Sequence, residues 1–341
     1  MPSLNLALMG FGNVGRGLGR LLIEKRAELQ RRYDLSWRVT AIATSSHGRA
    51  FNPDGIDLER ALELAEAGEA LDVLSSRPTP EGVAFIRECK ADLLFETTPV
   101  NYETGQPAID HLEAALRGGM HAITANKGAV VHAYRRLTDL AHEKNRRFYF
   151  ESAVMDGAPI FSLWREALPG CELRSFRGIL NSTTNMILTL MEDGKSFDDA
   201  LDHCRSIGIA ETDPSGDILG WDAAVKIAAL VTVLMDTSLA PDEVDRRGIE
   251  GITSEMIEDA RRQGKRWRLI CSATREGDRV QASVGPQLIE PRDTLFNVTG
   301  TSSSVTFLSD ALGPLTITEE SPGPRTTAYG LLADLLNAVR R

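Results

Sequence analysis

A run of acidic residues followed by a lysine lies past the middle of the sequence. Glu211, Asp213, Asp217 and Asp222 precede Lys226, in a segment that begins with turn-forming residues and continues into an apolar helix. Asp222 and Lys226 are four residues apart, so a helix places them one above the other on the same face. A lysine at the polar end of a buried helix is suited to proton transfer, because desolvation lowers the pKa of an amine. The same spacing fits an ordinary salt bridge, and on spacing alone both interpretations stand.

The N-terminus carries a motif typical of dinucleotide binding. Residues 4–9 form an uncharged run that predicts a strand, and the pattern G-x-G-x-x-G follows it and opens an amphipathic helix. In this setting the glycines allow a tight turn and a close approach to a pyrophosphate, and the helix N-terminus offers free N–H groups to the phosphates. A glycine-rich turn without a ligand is the alternative. The candidate cofactor residues are Gly10, Phe11, Gly12, Asn13, Val14 and Gly15.

The end of the second predicted strand, residues 38–43, bears on the choice of nicotinamide cofactor. A site selective for NAD usually has an acid there for the ribose 2′-hydroxyl. Here hydroxyl side chains follow the strand, and the first acid is Asp54. Arg49, together with His47, suits a 2′-phosphate better. The sequence therefore favours NADP(H), while NAD(H) and an ordinary loop role for Arg49 stay open.

Two further predicted strands end in residues that are able to contact the same ligand. The strand at residues 92–96 is followed by Thr97 and Thr98, and the strand at 121–124 leads to Lys127. Doubly wound sheets bind ligands at the carboxyl ends of their strands, so all three residues are candidate cofactor contacts. Lys127 is also a candidate for catalysis. The alternatives are a helix-capping turn at the two threonines and a surface lysine.

The order of predicted elements indicates an α/β protein with two domains. Strands and helices alternate regularly in residues 1–151, with the last helix expected at residues 133–145. This alternation predicts a Rossmann-type dinucleotide-binding domain with a parallel sheet. Residues 152–322 lack this alternation and predict an α+β domain with a mixed sheet. A final helix within residues 323–341 is expected to return to the first domain. In the second domain the strands are expected at residues 173–180, 268–273, 280–289, 295–298 and 304–308.

Composition excludes several classes of function. The formal net charge of −10 over 341 residues argues against a duplex nucleic-acid partner. No apolar run approaches the roughly 18 residues of a membrane helix, and no cationic segment typical of a signal peptide precedes the first strand. The four cysteines are widely spaced without a C-x-x-C pair, which favours reduced thiols and a cytoplasmic protein.

Five motifs follow one another along the chain, at residues 10–15, 124–127, 151–154, 178–185 and 208–226. Together they make the chain resemble the homoserine dehydrogenase family over nearly its full length. The resemblance implies NAD(P)-dependent interconversion of L-homoserine and L-aspartate 4-semialdehyde, on the route to threonine and methionine. It also implies a homodimer formed largely through the sheet of the second domain, which would be both catalytic and dimerising. The motif at residues 208–226 is the most specific, because it contains the complete family pattern Asp-Pro-x-x-Asp-Ile-x-Gly-x-Asp-x-x-x-Lys.

The resemblance implies a role for each candidate residue. Lys226 corresponds to the proton-transferring lysine, and Lys127 to a second lysine beside the reacting carbon and the nicotinamide. Glu211 and Asp222 correspond to carboxylates that hold the substrate's ammonium group, and Asp217 to a third acid of the pocket. The remaining positions are Gly208 and Thr183 in the substrate pocket, Gly323 in a C-terminal loop at the cofactor, and the backbone carbonyls of Glu151, Val154, Asp156 and Ala158 around a sodium ion.

Three departures from the family pattern bear on these roles. Ser182 stands where the family usually has glycine, and its β-carbon is expected to narrow the pocket. The loop after Glu151 has fewer glycines than usual, so extra β-carbons surround the expected sodium site. The glycine-rich C-terminal loop of the family is here residues 321–326, after which there is no room for a regulatory ACT domain. We therefore expect no feedback inhibition by threonine.

Two other functions remain open at this point. The serine at position 182 and the altered loops also fit a dehydrogenase of the same fold that acts on another small amino alcohol or aldehyde. A non-catalytic dinucleotide-binding sensor is a third hypothesis. It is disfavoured because a sensor has no need of the complete set Lys127, Glu211, Asp222 and Lys226.

Overall fold

The computed structural model describes residues 3–340, which form two compact units. The first unit contains the described residues up to Pro159 together with those from Gly323 onward, and the second unit is Ile160–Pro322. Within the part of the chain that the structure describes, no helix has both the length and the apolar character needed to cross a membrane.

The boundary between the units differs from the sequence-based expectation. The sequence places the end of the first domain at Glu151, whereas the first unit extends to Pro159. The segment after Glu151 is hydrogen-bonded to the C-terminal helix of the same unit. The Glu151 N–H donates to the Asp334 carboxylate at 2.7 Å, and the Ser152 hydroxyl donates to the Thr327 carbonyl at 2.7 Å. These long-range contacts are not visible in a local sequence pattern.

The first unit is built on a six-stranded sheet with the order β3-β2-β1-β4-β5-β6. All neighbouring strands are parallel except β3, which pairs with β2 in the antiparallel sense. This is the doubly wound arrangement that the sequence predicts, and it brings the carboxyl ends of β1, β4 and β5 to one edge. The strands are β1 (Leu4–Met9), β2 (Trp37–Ala43), β3 (Arg49–Phe51), β4 (Leu93–Glu96), β5 (His121–Thr124) and β6 (Phe148–Tyr149).

Helices cover this sheet with apolar faces that follow the helical period. In the first helix, Leu18, Leu21, Leu22 and Leu29 are all buried, and they pack in one core with strand residues such as Leu6. The helices up to residue 143 are α1 (Asn13–Tyr33), α2 (Leu58–Ala67), α3 (Gly82–Cys89), α4 (Ala108–Arg117) and α5 (Lys127–Glu143).

Helix α5 has a segment that the sequence does not predict, and this segment decides where Lys127 lies. The sequence predicts a helix at residues 133–145, whereas α5 begins at Lys127 and has a kink at Ala133, where φ is −142° and ψ is 15°. Asn126 is the N-cap residue, and its side-chain oxygen accepts the N–H of Gly128 at 3.1 Å. The Lys127 side chain therefore extends from the first turn of a capped helix, at the carboxyl end of β5.

The second unit contains a six-stranded mixed sheet with the order β12-β11-β7-β9-β10-β8. The pairs are antiparallel except that β8 runs parallel to β10. The mixed sheet confirms the predicted fold class. Its strands are β7 (Leu173–Ile179), β8 (Asp245–Arg246), β9 (Arg266–Glu276), β10 (Arg279–Ile289), β11 (Ser303–Ser309) and β12 (Leu315–Glu319).

The central helix of this unit is almost wholly apolar, which accounts for its burial. Residues such as Ala228 and Leu230 are fully buried, and the helix packs on β9 and β10. The helices are α6 (Ser182–Glu192), α7 (Phe197–Ser206), α8 (Ser215–Ile218), α9 (Trp221–Leu234) and α10 (Ser254–Arg262); the C-terminal helix α11 (Pro324–Val339) belongs to the first unit.

One predicted strand of the second unit is wrong. Residues 295–298 form consecutive turns, because the Phe296 N–H donates to the Asp293 carbonyl and the Val298 N–H donates to the Leu295 carbonyl. The apolar side chains still pack in a small core with Ile270. The sequence therefore located buried residues correctly but assigned them the wrong backbone.

Candidate functional site

Lys226 lies on α9 and is held by two acceptors from different elements. Its Nζ is 3.2 Å from Asp222 Oδ2, one turn earlier in the same helix, and it donates to the carbonyl of Leu180 at 2.7 Å. Leu180 directly follows β7, so a strand end and a helix together fix the amine. The side chains of Lys226 and Asp222 are only 16% and 10% exposed. Asp222 and Lys226, whose spacing alone fits either interpretation, therefore form a salt bridge in a nearly buried site.

Asn181 connects the acidic residues, although its sequence position alone predicts no role for it. Its amide nitrogen donates to Asp217 at 2.6 Å and to Asp222 at 2.9 Å. Its amide oxygen accepts the Thr184 N–H at 2.8 Å and so caps α6. One side chain thereby orients two carboxylates and the start of a helix. The available signal was an asparagine between a strand end and a helix start.

The pKa of Asp217 is shifted by its surroundings in this cluster. Its burial and then the nearby charge of Asp222 raise its pKa above the ordinary value of an aspartate, while hydrogen bonds from Asn181 and Thr183 and the charge of Lys226 oppose this shift. Two carboxylates that share one amide donor repel each other. A cationic group bound beside them would relieve that repulsion.

This raised pKa gives a testable pH dependence. Folded Asp217 keeps its proton to a higher pH than the unfolded chain does, so the stability from this proton is complete below the unfolded pKa and is lost as pH rises through the folded pKa. Asp217→Asn removes the titrating carboxyl group and with it this loss of stability at higher pH. Its thermal midpoint relative to the natural protein, measured by calorimetry, should therefore rise as the pH increases above about 4, the ordinary pKa of an aspartate.

The matched control for this prediction is Asp213→Asn in the same segment. Hydrogen bonds from Ser215 lower the pKa of the exposed Asp213, so this variant should change in the opposite sense as pH rises. Parallel pH profiles for Asp217→Asn and the natural protein would contradict the account of Asp217.

Thr183 links the start of α6 to the loop that carries the other candidate acids. Its hydroxyl donates to the carbonyl of Ile209 at 3.3 Å, and its side chain is buried. Gly208 in this loop has a φ of +74°, which favours glycine, and Glu211 is exposed to solvent. The second unit therefore brings Asp217, Asp222 and Lys226 together, and it places Glu211 on the adjoining loop.

The glycine-rich loop of the first unit has the geometry of a phosphate cradle. Gly10 has a φ of +100°, and a β-carbon there would lie 2.6 Å from the backbone of Thr97. A β-carbon at Gly15 would lie 2.5 Å from the carbonyl of Gly10, whereas one at Gly12 would meet no atom within 4 Å. The loop is thus closely packed on its inner side and open at its middle glycine, at the N-terminus of a long helix. These features fit a dinucleotide.

The other three residues of this motif contribute in different ways. The Phe11 side chain is buried in the core, so it can offer a ligand only its backbone. Val14 is partly buried and packs against the same core. Asn13 is exposed at the first position of α1, where its side-chain oxygen accepts a hydrogen bond from Arg16 at 3.0 Å.

Arg49 begins β3 and already has an acidic partner. Its Nη1 lies 3.0 Å from Glu81, and its side chain is 24% exposed. The turn before it is fixed by the His47 N–H, which donates to the Thr44 hydroxyl at 2.6 Å, while the His47 ring is hydrogen-bonded to Ser46 at 2.7 Å. A 2′-phosphate would therefore have to compete with Glu81 for this guanidinium.

Thr97, Thr98 and Lys127 lie at the carboxyl ends of neighbouring strands, as predicted. The Thr97 hydroxyl donates to the Gly10 carbonyl at 3.0 Å, which joins this strand end to the glycine-rich loop. The hydroxyl and the N–H of Thr98 both donate to the buried carboxylate of Glu96, and its carbonyl accepts the Asn126 amide at 3.2 Å, so Thr98 is bound within the strand-end segments. The ammonium of Lys127 lies 5.7 Å from the ring centre of Tyr102.

The loop proposed for a cation packs against the C-terminal helix. Glu151, Val154 and Ala158 are buried, and a β-carbon at Gly330 would lie 2.8 Å from the carbonyl of Asp156. The Thr326 hydroxyl lies 3.1 Å from the Asp156 carboxylate and 2.8 Å from the Gly323 carbonyl. Gly323 thus precedes α11 in a loop that the Thr326 side chain holds in place.

Comparison with known proteins decides the family. The family profile described as homoserine dehydrogenase matches residues 159–336, and the profile of the homoserine dehydrogenase NAD binding domain matches residues 10–151. The chain belongs to the homoserine dehydrogenase family. This assignment confirms the resemblance on which the functional hypothesis rests, and it makes the chain an NAD(P)-dependent oxidoreductase.

Relatives of the homoserine dehydrogenase family match the whole chain. The homoserine dehydrogenase of Methanocaldococcus jannaschii is 36% identical over 98% of both chains, and the NAD(+)-dependent homoserine dehydrogenase of Pseudomonas canavaninivorans is 33% identical over 99% of this chain and 96% of its own. The crystal structure of a homoserine dehydrogenase from Thiobacillus denitrificans has a TM-score of 0.83 at 30% identity, and it covers 100% of this chain and 74% of that one.

Proposed function

We propose that this chain interconverts L-homoserine and L-aspartate 4-semialdehyde, with Lys226 as the proton-transferring residue. One observation carries the assignment: the Lys226 amine is held 2.7 Å from the Leu180 carbonyl and 3.2 Å from the Asp222 carboxylate. A neutral amine has two N–H groups and one lone pair. If both N–H groups are directed to these acceptors, the lone pair is left to take the proton of a substrate hydroxyl.

The acids around Lys226 are suited to the substrate's ammonium group. The carboxylates of Asp217 and Asp222 both accept a hydrogen bond from the Asn181 amide. Their mutual repulsion decreases when a cation binds between them. Glu211 lies on the adjoining loop and adds a further negative charge. Binding the ammonium in this cluster would place the hydroxyl of the same small molecule near Lys226. Substrate binding and base placement thus use the same group of residues.

The nicotinamide cofactor, when bound, accepts the hydride from the substrate's reacting carbon or returns it. The chain's own contribution is orientation and charge. Gly10, Gly12 and Gly15 with the N-terminus of α1 would hold the phosphates. Lys127, at the carboxyl end of β5, would place a second positive charge on the side of the nicotinamide.

A substrate comparison tests the proposed reaction. Purified protein is assayed for nicotinamide reduction with L-homoserine, with other small amino alcohols and with each cofactor. We expect reduction with L-homoserine at the highest kcat/KM. Reduction with another amino alcohol but not with L-homoserine would instead support the second hypothesis, in which Ser182 changes the substrate. The Ser182 hydroxyl lies 3.5 Å from that of Ser303, so its side chain is directed towards β11.

We propose NADP(H) as the preferred cofactor, with NAD(H) as the alternative. The support is the lack of an acid at the end of β2 and the presence of Arg49 immediately after the turn. The relative from Pseudomonas canavaninivorans is described as NAD(+)-dependent, and Arg49 is paired with Glu81, so the preference depends on whether the 2′-phosphate displaces that carboxylate.

Substitution of the ion pair tests this preference. Arg49→Ala should raise the Kd for NADP+ about tenfold, because a charge-assisted contact is lost, and should leave the Kd for NAD+ nearly unchanged. Glu81→Gln should have the opposite effect and tighten NADP+ binding. Arg60→Ala is the control, since Arg60 pairs with Glu63 on the exposed surface of α2. Equal effects of Arg49→Ala on both cofactors would assign Arg49 an ordinary loop role.

We also propose that the buried loop at residues 151–158 binds a sodium ion through the carbonyls of Glu151, Val154, Asp156 and Ala158. Backbone carbonyls are oxygen ligands of the kind that hard cations take. The loop is held against α11 by two hydrogen bonds, one from the Glu151 N–H and one from the Ser152 hydroxyl. Calorimetric titration of the metal-free protein with sodium chloride, against potassium chloride, measures this binding directly.

We propose a homodimer formed through the sheet of the second unit. One face of this sheet is covered by helices and carries buried residues such as Cys271 and Val305. The opposite face has a row of side chains across five strands that are not fully buried: Ser283, Ser272, Arg177, Thr306 and Thr316. This polar face is available for pairing with a second copy. Sedimentation equilibrium of the purified protein distinguishes a dimer from a monomer.

A further inference from the structure

Glu96 is a fully buried carboxylate to which the proposed mechanism gives no role. It is the last residue of β4, and its side chain is 0% exposed. One carboxylate oxygen accepts the Thr98 N–H at 3.1 Å and also the Thr98 hydroxyl. The other lies 2.9 Å from the Thr124 hydroxyl, whose single hydrogen is shared between this oxygen and the Glu96 carbonyl at 3.0 Å. The donors come from the segments that follow β4 and from the end of β5.

Burying the Glu96 carboxylate among neutral hydrogen-bond donors costs free energy, so its position in the core needs an explanation. Transfer of a charge out of water is unfavourable unless partners compensate it. His111 of α4, itself buried, has its Nδ1 3.8 Å from the Glu96 carboxylate, which is too far for a hydrogen bond. The hydrogen bonds to the Glu96 carboxylate therefore come from Thr98 and Thr124.

The hydrogen bonds continue from Glu96 to the start of α5. The Thr124 hydroxyl oxygen accepts the Asn126 N–H at 2.9 Å. The Asn126 amide nitrogen donates to the Thr98 carbonyl at 3.2 Å, and its amide oxygen caps α5 at Gly128. A closed ring of hydrogen bonds therefore joins the two strand-end segments. Lys127 lies between Asn126 and Gly128, the two residues that this capping hydrogen bond joins.

We propose that Glu96 is a positioning residue for hydride transfer. Its carboxylate fixes the segments 97–99 and 124–127 relative to each other and so fixes the point from which the Lys127 side chain extends. The inference rests on the proposed role of Lys127 beside the nicotinamide. Glu96 touches neither substrate nor reacting atoms. Its effect should therefore appear in the rate of the chemical step more than in binding.

The test is Glu96→Gln, which keeps the shape but replaces one acceptor oxygen with a donor that faces Thr98 or Thr124. We expect kcat to fall between about ten- and a hundredfold, because small displacements of positioned groups have effects of this size. The Kd of the reduced cofactor, measured by its fluorescence, should change less than about threefold. The primary isotope effect on kcat with L-homoserine deuterated at its reacting carbon should increase, because hydride transfer becomes more rate-limiting.

Two further variants separate positioning from folding. Glu192→Gln alters a matched carboxylate in the second unit, which pairs with the buried Arg268 at 2.7 Å. It should reduce stability without changing kcat or the isotope effect. Thr124→Val removes the hydroxyl that links Glu96 to Asn126, and it should lower kcat and raise the isotope effect in the same direction as Glu96→Gln.

The outcomes are distinguishable. Unchanged kcat in Glu96→Gln, or a loss that follows the folded fraction with an unchanged isotope effect, overturns the positioning role. If Glu96→Gln does not fold, Thr124→Val decides: a lower kcat with a higher isotope effect supports the proposal, and normal kinetics overturn it. Turnover of L-homoserine by the natural protein in the same assay tests the proposed function separately. Without that turnover, the proposed function fails and the positioning role fails with it.

Discussion

Lys226→Ala is expected to lower kcat by about 10²-fold or more while the Kd of the cofactor stays near its natural value. The reason is that the variant removes the group that takes the substrate's hydroxyl proton, and it leaves the glycine-rich loop of the first unit intact. Steady-state kinetics with L-homoserine and a fluorescence titration of the reduced cofactor measure the two quantities separately.

Lys195→Ala is the matched control, because Lys195 is an exposed lysine of the same unit. It should leave kcat unchanged. If Lys226→Ala also keeps most of the natural turnover, Lys226 is only the salt-bridge partner of Asp222, and the proton must pass through another group. If the variant loses cofactor binding as well, its effect is on folding rather than on proton transfer.

Asp222→Asn is expected to have the second largest effect. Asp222 contacts Lys226 at 3.2 Å and shares the Asn181 amide with Asp217, so the substitution weakens both the ammonium site and the orientation of the amine. A hydrogen bond to a charged group contributes about 1.5–3 kcal/mol, so kcat/KM for L-homoserine should fall about 10- to 150-fold. Saturation kinetics should show most of this change in KM.

Asp213→Asn provides the comparison for Asp222→Asn. Asp213 is an exposed acid of the same segment, where its carboxylate accepts the Ser215 N–H at 3.1 Å. Its replacement should change kcat/KM by less than about twofold, as expected for a surface group. Similar losses in the two variants would show that the segment needs negative charge in general, and that Asp222 has no specific contact with the ammonium group.

Local patterns were sufficient to predict most of the fold and part of the site. The strand followed by Gly10, Gly12 and Gly15 identified the first unit, because these glycines are required by contacts within one turn and its neighbouring strand. The spacing of Asp222 and Lys226 predicted their contact, since a helix alone determines it. In both cases the relevant geometry lies within a few residues of sequence.

Residues whose roles depend on distant contacts were not found in this way. Asn181 meets Asp217 and Asp222 across about 40 residues of sequence, and Glu96 meets Thr124 across 28. Neither has a local pattern that distinguishes it from an ordinary residue at a strand end. The pairing of Arg49 with Glu81 is a similar case.

Backbone conformation set another limit on prediction. The run at residues 295–298 has the apolar character of a strand, but its N–H groups are satisfied by turns. The sequence does not predict the segment of α5 before the kink at Ala133, because the cap formed by Asn126 gives a weaker sequence signal than the apolar residues that follow. The position of Lys127 at the first turn was therefore evident only from the structure.

Rescue of Lys226→Ala by added primary amines tests the central claim most directly. If Lys226 carries the proton, small amines should restore part of the rate of L-homoserine oxidation, in proportion to their concentration, and more basic amines should be more effective at equal free-base concentration. A rate that does not change with any amine, in a variant that binds cofactor and L-homoserine normally, would contradict the assignment of Lys226 as the proton-transferring residue.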